Sequence, residues 1–152
     1  MGLQPGTRMP AFSLPDQQGR QFDSDTRESR GPLVIFFYPR DETPGCTREV
    51  CAFRDDFEAF RKLCAEVVGI SSDTQTSHLE FSRKNDLPYR LLADREHRVR
   101  KLFQVKGYLF NLVQGRETFV IDSSGIIRMA YNSPNPAQHV KKALQALKDI
   151  QA

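Results

Sequence analysis

The sequence predicts an α/β protein, a three-layer sandwich in which a central mixed sheet has helices on both faces and a β-hairpin at the N-terminus. Apolar strand patterns alternate with helical patterns along the chain, which is typical of a sheet covered on both faces. The 152 residues suit one domain, 1–152, because domains commonly contain about 100–150 residues. The sequence also lacks internal repeats and linker-like tracts.

The first half of the chain predicts the hairpin, the central strand and a long helix. Residues 11–14 and 21–22 flank a turn that contains Gly19, which predicts the hairpin. Residues 33–38 are continuously apolar, as expected for a central strand buried on both faces. Apolar residues then recur at spacings of three and four, which predicts one amphipathic helix from about residue 46 to residue 62.

The second half continues the alternation and ends in a hairpin and a helix. A buried strand, a helix, a short strand and a short helix are predicted in that order, followed by two strands joined by a Ser-Ser-Gly turn and a last helix. These elements span residues 66–71, 74–85, 89–93, 97–103, 118–122, 126–131 and 137–150.

The charge and hydropathy patterns exclude several functional classes. The 22 Lys and Arg residues are interleaved with 19 Asp and Glu residues, whereas nucleic-acid binding normally shows a concentrated basic stripe. The chain lacks the run of about 20 apolar residues that a membrane helix requires. The first residues resemble neither a secretory signal nor a transit peptide, so we expect a cytoplasmic protein.

Three cysteines are an odd number, which argues against a purely structural disulfide framework. Cys46 falls in the first turn of the predicted helix that follows the central strand, where open α/β sheets place reactive groups. A thiolate is the reactive form of cysteine, and the partial positive charge of a helix N-terminus favours it. Attack of the sulfur on a peroxide O–O bond gives a sulfenic acid, which condenses with a second thiol. Cys51 is the nearest candidate for that thiol.

The spacing of the two cysteines has a structural consequence. On an intact helix, residues five apart have Cα atoms about 8.6 Å apart, whereas a disulfide tolerates about 7 Å at most. If Cys46 and Cys51 form a disulfide, the first turns of the helix must therefore unwind. Both cysteines could instead be small core residues, since free cysteine is often buried, but Cys46 lies outside the apolar stripe of its helix.

The segment around Cys46 resembles the active-site motif of the peroxiredoxins. The motif is Pro39-x-x-x-Thr43-x-x-Cys46, and its continuation to Cys51 resembles the Q-type branch, also called bacterioferritin comigratory protein. The likeness covers nearly the whole chain, from Pro10-x-Phe12-x-Leu14 through Val68-Gly69-Ile70-Ser71-x-Asp73 to Arg116-x-Thr118-Phe119-x-Ile121-Asp122.

The resemblance implies a thioredoxin-like fold and a role for each matching residue. Cys46 is the expected peroxidatic cysteine and Cys51 the expected resolving cysteine. Thr43 is expected to offer its hydroxyl to the peroxide, and Arg116 to hold the thiolate and the charge that develops on the leaving oxygen. Pro39 is expected to shield the sulfur from water. Thr43 could instead only cap the helix, Arg116 could be an ordinary surface residue, and Pro39 could only terminate the strand.

The expected activity is the reduction of hydrogen peroxide and organic hydroperoxides, without a cofactor or a metal. The chain has no Gly-x-Gly-x-x-Gly fingerprint, so the reductant must come from outside, and the resemblance implies a thioredoxin-like protein. We expect the chain to act as a monomer, and Cys64 to be a non-catalytic thiol, although it could in principle resolve Cys46.

Two other functions fit the sequence less well. A metal-binding module would need clustered ligands, and His78, His97 and His139 are far from Cys46 in sequence. A protein disulfide exchanger would use Cys-x-x-Cys, whereas four residues separate Cys46 from Cys51.

Overall fold

The computed structural model describes residues 2–27, 30–107 and 115–151. Within these residues, seven strands form two sheets, accompanied by five α-helices. The strands are β1 (Ser13–Pro15), β2 (Gln21–Asp23), β3 (Leu33–Phe37), β4 (Glu66–Ser71), β5 (Arg90–Ala93), β6 (Glu117–Ile121) and β7 (Ile127–Asn132). The helices are α1 (Pro44–Asp55), α2 (Phe57–Lys62), α3 (Gln75–Lys84), α4 (Arg98–Leu102) and α5 (His139–Gln151), which a 3₁₀ turn (Pro136–Gln138) precedes.

The central sheet is built around β3. Its five strands follow the order β5-β4-β3-β6-β7, while β1 and β2 form a separate hairpin. β3 is parallel to β4 and antiparallel to β6, so the sheet is mixed. Every residue of β3 is buried, as expected for an apolar strand covered on both faces. The predicted mixed sheet and N-terminal hairpin are therefore confirmed.

Side chains of β3 alternate between two apolar clusters because successive residues of a strand point to opposite faces. Val34 and Phe36 pack with residues of α1, α2, α3 and α5. Ile35 and Phe37 pack with the hairpin and with Val99 of α4. Helices therefore lie on both faces, which confirms the predicted sandwich, and four of the five described helices share one face. No helix in the described ranges has the length and apolar character needed to cross a membrane.

The single helix predicted for residues 46–62 is the main error in the predicted elements. The helix begins at Pro44, because proline is well suited to a first helical position, where its fixed φ is helical and its missing N–H costs nothing. It ends at Asp55, and α2 starts at Phe57 after Asp56. Two adjacent acidic residues are unfavourable at a helix C-terminus but favourable at the start of the next helix. The other predicted elements are present, with ends displaced by at most two residues.

Candidate active site

Cys46 is the third residue of α1 and lies beyond the C-terminal end of β3. Its side chain is buried, with 1% of its surface exposed. The first turn of a helix leaves backbone N–H groups without helical partners and carries partial positive charge. The structure therefore places Cys46 where the sequence predicted it, in a position that favours an anionic sulfur.

Arg116 brings a full positive charge to the same sulfur. Its Nη1 lies 3.5 Å from the Sγ of Cys46 and donates a 2.7 Å hydrogen bond to the Oε1 of Glu49. Its Nε donates to the carbonyl oxygen of Pro134, which anchors the guanidinium from the other side. Residues 70 positions apart meet because β6 runs antiparallel to β3, so that the residue before Glu117 lies at the edge where β3 ends.

Gly45 allows Arg116 to approach the helix closely. A Cβ atom added to Gly45 would lie 3.2 Å from the Nη2 of Arg116, which is tighter than an ordinary contact, so that a larger residue would push the guanidinium away by a few tenths of an ångström. This function of Gly45 was not predicted from the sequence. A glycine directly before the reactive cysteine was the available signal.

Thr43 is the N-cap residue of α1, but its side chain makes no capping hydrogen bond. Its hydroxyl donates to the carbonyl oxygen of Arg40 at 2.9 Å. Because the proton is used there, the Oγ1 lone pairs are left as acceptors for an O–H group. This arrangement suits acceptance of a hydrogen bond from a hydroperoxide. Pro39 lies partly exposed between β3 and α1, and its predicted shielding of the sulfur stays a prediction.

A buried polar network supports the loop that leads to Thr43. Asp41 accepts hydrogen bonds from the hydroxyls of Tyr38 and Ser77 and lies 2.7 Å from the Nδ1 of His78. The backbone N–H of Asp41 donates to Asp73. Asp41, Asp73 and His78 are the one group within the described residues whose His, Cys, Asp or Glu atoms are close enough to share a metal ion. That group contains no cysteine.

Glu49 is the main functional residue whose role the sequence left open. It lies one helical turn after Cys46 and is fully buried. Residues three apart on a helix are neighbours, so the spacing of Glu49 from Cys46 is the sequence signal that could have indicated it. One carboxylate oxygen accepts from Arg116, while Oε2 has no hydrogen-bond partner among the described residues. Burial raises the pKa of Glu49 to about 7, although Arg116 acts in the opposite direction.

Cys51 lies in the same helix as Cys46 and is partly exposed, and both thiols are free. Its Sγ lies 3.5 Å from the Oδ1 of Asn85. Burial raises the pKa of the Cys51 thiol, and Arg54 opposes this effect. Since α1 is continuous between the two cysteines, the helix has to open before their sulfur atoms can bond.

Cys64 is exposed and lies between α2 and the start of β4. The parallel strands β3 and β4 begin at this end of the sheet, whereas Cys46 follows the opposite end of β3. A strand of five residues is about 17 Å long at 3.3 Å per residue. The structure therefore separates Cys64 from the site by the length of the sheet.

Three comparisons identify the relatives of this chain. The model of the AhpC/TSA family matches residues 5–130. The chloroplastic peroxiredoxin Q of Sedum lineare is 44% identical over 146 residues, which cover 95% of this chain and 78% of that protein. Peroxidoxin BcpB of Mycobacterium tuberculosis is 36% identical, with a TM-score of 0.90 over 99% of both chains. The bacterioferritin comigratory protein of Xanthomonas campestris is 29% identical, with a TM-score of 0.85 over 93% of this chain and 92% of that chain.

A thioredoxin-like fold together with these family matches identifies the chain as a thiol-dependent peroxidase. These relatives match nearly the whole chain, in sequence and in fold. The chain belongs to the AhpC/TSA family and, within it, to the Q-type peroxiredoxins. The resemblance that the motif predicted is thereby confirmed.

Proposed function

We propose that Cys46 is the residue that attacks the hydroperoxide and that Cys51 resolves the product. The observation that carries this proposal is the contact between Arg116 and the buried sulfur of Cys46 at the N-terminus of α1, with Nη1 and Sγ 3.5 Å apart. A fixed cation and a helix N-terminus both stabilise a thiolate, and a thiolate is the nucleophile in this reaction.

In the first step the Cys46 thiolate attacks the terminal oxygen of the hydroperoxide. An S–O bond forms and the O–O bond breaks, so that Cys46 becomes a sulfenic acid and the other oxygen leaves as an alcohol or as water after taking up a proton. Negative charge grows on the leaving oxygen as the O–O bond breaks. Arg116 is placed to stabilise that charge, because preorganised donors act most strongly where charge develops.

In the second step Cys51 attacks the sulfur of the Cys46 sulfenic acid. An S–S bond forms and the sulfenic oxygen leaves as water, which gives an intramolecular disulfide. Two electrons from an external dithiol then restore both thiols. A thioredoxin-like protein is the proposed donor, in keeping with the family. The X. campestris protein has alkyl peroxide reduction activity, which supports organic hydroperoxides as substrates here alongside hydrogen peroxide.

The chain is also proposed to act as a monomer in the cytoplasm. Within the described residues, Leu102 is the one large apolar side chain that is exposed. Obligate dimers usually bury a large apolar surface, so a single exposed leucine supports a monomer. Light scattering of the reduced and oxidised protein measures this directly. Cell fractionation tests the cytoplasmic location, because the related peroxiredoxin Q of S. lineare is chloroplastic.

Cysteine variants test the proposed roles. We expect Cys46→Ser to abolish peroxide consumption coupled to thioredoxin, because serine cannot supply a thiolate. Cys51→Ser is expected to retain one rapid oxidation of Cys46 but to lose turnover with thioredoxin. Cys64→Ser is the matched control and should turn over at the parent rate. Turnover by Cys46→Ser at the parent rate would contradict the proposal, as would a disulfide mapped by mass spectrometry to a pair other than Cys46 and Cys51.

A further inference from the structure

Asn85 links α3 to the proposed resolving cysteine. It is the C-cap residue of α3 and is partly buried. Its Oδ1 lies 3.5 Å from the Sγ of Cys51, and its main-chain carbonyl accepts a 2.7 Å hydrogen bond from the Nη1 of Arg54. Asn85 therefore contacts α1 at two positions that are three residues apart. The chemical steps described above do not use it.

The contacts of the Asn85 side chain determine which amide atom faces Cys51. Its Nδ2 donates a 2.9 Å hydrogen bond to the carbonyl oxygen of Phe81. A carbonyl oxygen only accepts, so the amide nitrogen must lie on that side and the amide oxygen on the side of Cys51. The side chain therefore presents lone pairs, and not N–H groups, to the sulfur.

An oxygen acceptor beside a sulfur atom favours the thiol over the thiolate. The thiol donates its S–H group to the oxygen, whereas the thiolate has no proton to donate and its charge faces the lone pairs of the amide oxygen. A hydrogen bond made only by the neutral form raises the pKa of an acid. The geometry of Asn85 therefore stabilises the protonated form of Cys51. Burial also raises the pKa of Cys51, so both effects have the same sign.

The charged groups around Cys51 act in opposite directions. On α1, Arg54 lowers the pKa of Cys51 and Asp55 raises it. Tyr89 precedes β5, and burial raises the pKa of its hydroxyl well above the usual value, so that it is neutral. Arg48 lines the groove beside Cys51 and is exposed, so that solvent screens its charge. The 3₁₀ turn on the other side of this groove is uncharged. On balance the pKa of Cys51 is raised.

We propose that Asn85 holds Cys51 as a protonated thiol and thereby limits the rate at which it resolves the Cys46 sulfenic acid. A thiolate is the nucleophile in thiol chemistry, so a smaller thiolate fraction slows the attack. As the S–S bond forms, the thiol proton leaves with the sulfenic oxygen as water. Asn85 is a positioning residue, because it acts through Cys51. The inference rests on the proposed resolving role of Cys51.

The rate of resolution decides the fate of the sulfenic acid. A second hydroperoxide can transfer an oxygen atom to it, which gives a sulfinic acid on Cys46 and an alcohol or water as the reduced product. Attack by Cys51 gives the disulfide instead. Because the two reactions compete, an acceptor that slows Cys51 increases the share of Cys46 that is overoxidised when the hydroperoxide is in excess.

The first experiment measures the ionisation of Cys51 without peroxide. A Cys46→Ser, Cys64→Ser background leaves Cys51 as the single thiol, and its alkylation by iodoacetamide is followed as a function of pH. Asn85→Leu has a similar shape, so it keeps the sulfur covered but removes the acceptor. We expect the midpoint of the profile to fall by up to about one pH unit, which gives up to about tenfold more thiolate below the midpoint. An unchanged midpoint would overturn the proposal.

A matched asparagine variant separates the acceptor from the access of solvent to the sulfur. Asn135 lines the opposite side of the groove beside Cys51, and its side chain accepts from the N–H of Ala137. Asn135→Ala therefore opens the groove without removing the acceptor from Cys51. We expect this control to change the plateau of the alkylation rate at most and to leave the midpoint in place. A fall of the midpoint equal to that in Asn85→Leu would overturn the proposal.

A second variant of Asn85 predicts a shift of the opposite sign. Asn85→Asp keeps an oxygen acceptor and adds a negative charge beside the sulfur, so we expect it to raise the midpoint of the alkylation profile of Cys51. It also serves as the test if Asn85→Leu does not fold. A lowered or unchanged midpoint in Asn85→Asp would overturn the proposal.

The second experiment measures resolution. Reduced Cys64→Ser protein is mixed with one equivalent of hydrogen peroxide, quenched with acid at short times and analysed by mass spectrometry. Adding Asn85→Leu is expected to leave the rate of Cys46 oxidation unchanged, to speed disulfide formation by the same factor as the gain in thiolate and to give less sulfinic acid in excess peroxide. Equal rates of disulfide formation would overturn the role of Asn85 and leave that of Cys51 intact. Absence of a disulfide between Cys46 and Cys51 in both proteins would contradict the proposed function, and this inference with it.

Discussion

At the scale of single residues, the site depends on how Arg116 divides its hydrogen bonds. Its Nη1 contacts both the Sγ of Cys46 and the Oε1 of Glu49, and its Nε is held by the carbonyl of Pro134. This orientation needs the fork of a guanidinium, because a lysine ammonium is a point charge that cannot reproduce several fixed donors. Arg116 is therefore expected to speed the reaction of Cys46 by more than a positive charge without this hydrogen-bonding geometry would.

We expect Arg116→Met to lower kcat/KM for hydrogen peroxide by about 10²–10³, the usual cost of removing a donor that stabilises developing charge. Arg116→Lys is expected to recover only part of this loss. The measurement is the rate of Cys46 oxidation under single-turnover conditions. Arg83→Met, an exposed residue in the last turn of α3, is the control. A loss of similar size in that control would show that net charge, not the contact with Cys46, is responsible.

Glu49 links the stability of the reduced protein to pH. Burial raises its pKa from 4.5 to about 7. Between these two pH values, Glu49 keeps its proton in the folded state but has released it in the unfolded state. Stability from this group is fully present below about pH 4.5 and is lost as the pH rises through about 7. The loss is on the order of 3 kcal/mol at 1.36 kcal/mol per pH unit.

The free energy of unfolding of Glu49→Gln should therefore rise relative to the parent between acidic and alkaline pH. Urea denaturation of both reduced proteins at several pH values gives this difference. Other titrating groups cancel in the comparison where they do not contact Glu49. A difference that stays constant with pH would show that Glu49 titrates in the folded protein as it does in the unfolded chain.

At the scale of elements, α1 has to perform two opposed tasks. An intact N-terminal turn holds Cys46 beside Arg116, whereas a disulfide with Cys51 requires that turn to open. The middle and end of the helix are tethered by other elements, through the bond from the Tyr89 hydroxyl to the carbonyl of Val50 and through that from Arg54 to the carbonyl of Asn85. Opening is therefore expected to start at the N-terminal end.

We expect oxidation by one equivalent of peroxide to speed hydrogen exchange of backbone amides between residues 46 and 51 and to reduce the helical circular dichroism signal. Amides of α5 are expected to keep their protection, which serves as an internal reference. The Cys51→Ser variant, which stops at the sulfenic acid, is expected to keep α1 intact. A confirmed disulfide between Cys46 and Cys51 with unchanged exchange in α1 would contradict this expectation.

At the scale of the whole molecule, two apolar clusters share one sheet. β3 contributes alternate residues to each cluster. Because both clusters depend on the same strand, loss of packing in one cluster also disrupts the other. Such coupling favours a single cooperative unfolding transition. The predicted single domain, 1–152, leads to the same expectation.

Leu147→Ala and Leu92→Ala test this coupling because the two leucines are fully buried in different clusters. Each is expected to destabilise the reduced protein by about 2–5 kcal/mol. Both should lower one transition that circular dichroism and tyrosine fluorescence report at the same denaturant concentration. Separate transitions in either variant would show that the two faces unfold independently.

Local pattern alone determined much of this protein. An apolar run predicts β3, and the Pro-Gly-Cys sequence after it places a cysteine in the first turn of a helix, since strand burial and helix capping depend on neighbouring residues. The same pattern missed the end of α1 at Asp55, because the apolar spacing continues through the break at Asp56.

Only the tertiary structure decided what surrounds the sulfur. Family resemblance indicated Arg116, whereas its neighbouring residues did not. Nothing in the sequence around His139 indicates that its Nδ1 lies 3.5 Å from the Oε2 of Glu49. These side chains meet because the antiparallel register of β6 on β3 and the packing of α5 bring together residues that are far apart along the chain. Sequence pattern reports local propensity, whereas the burial and mutual charge of distant groups exist only once the sheet is assembled.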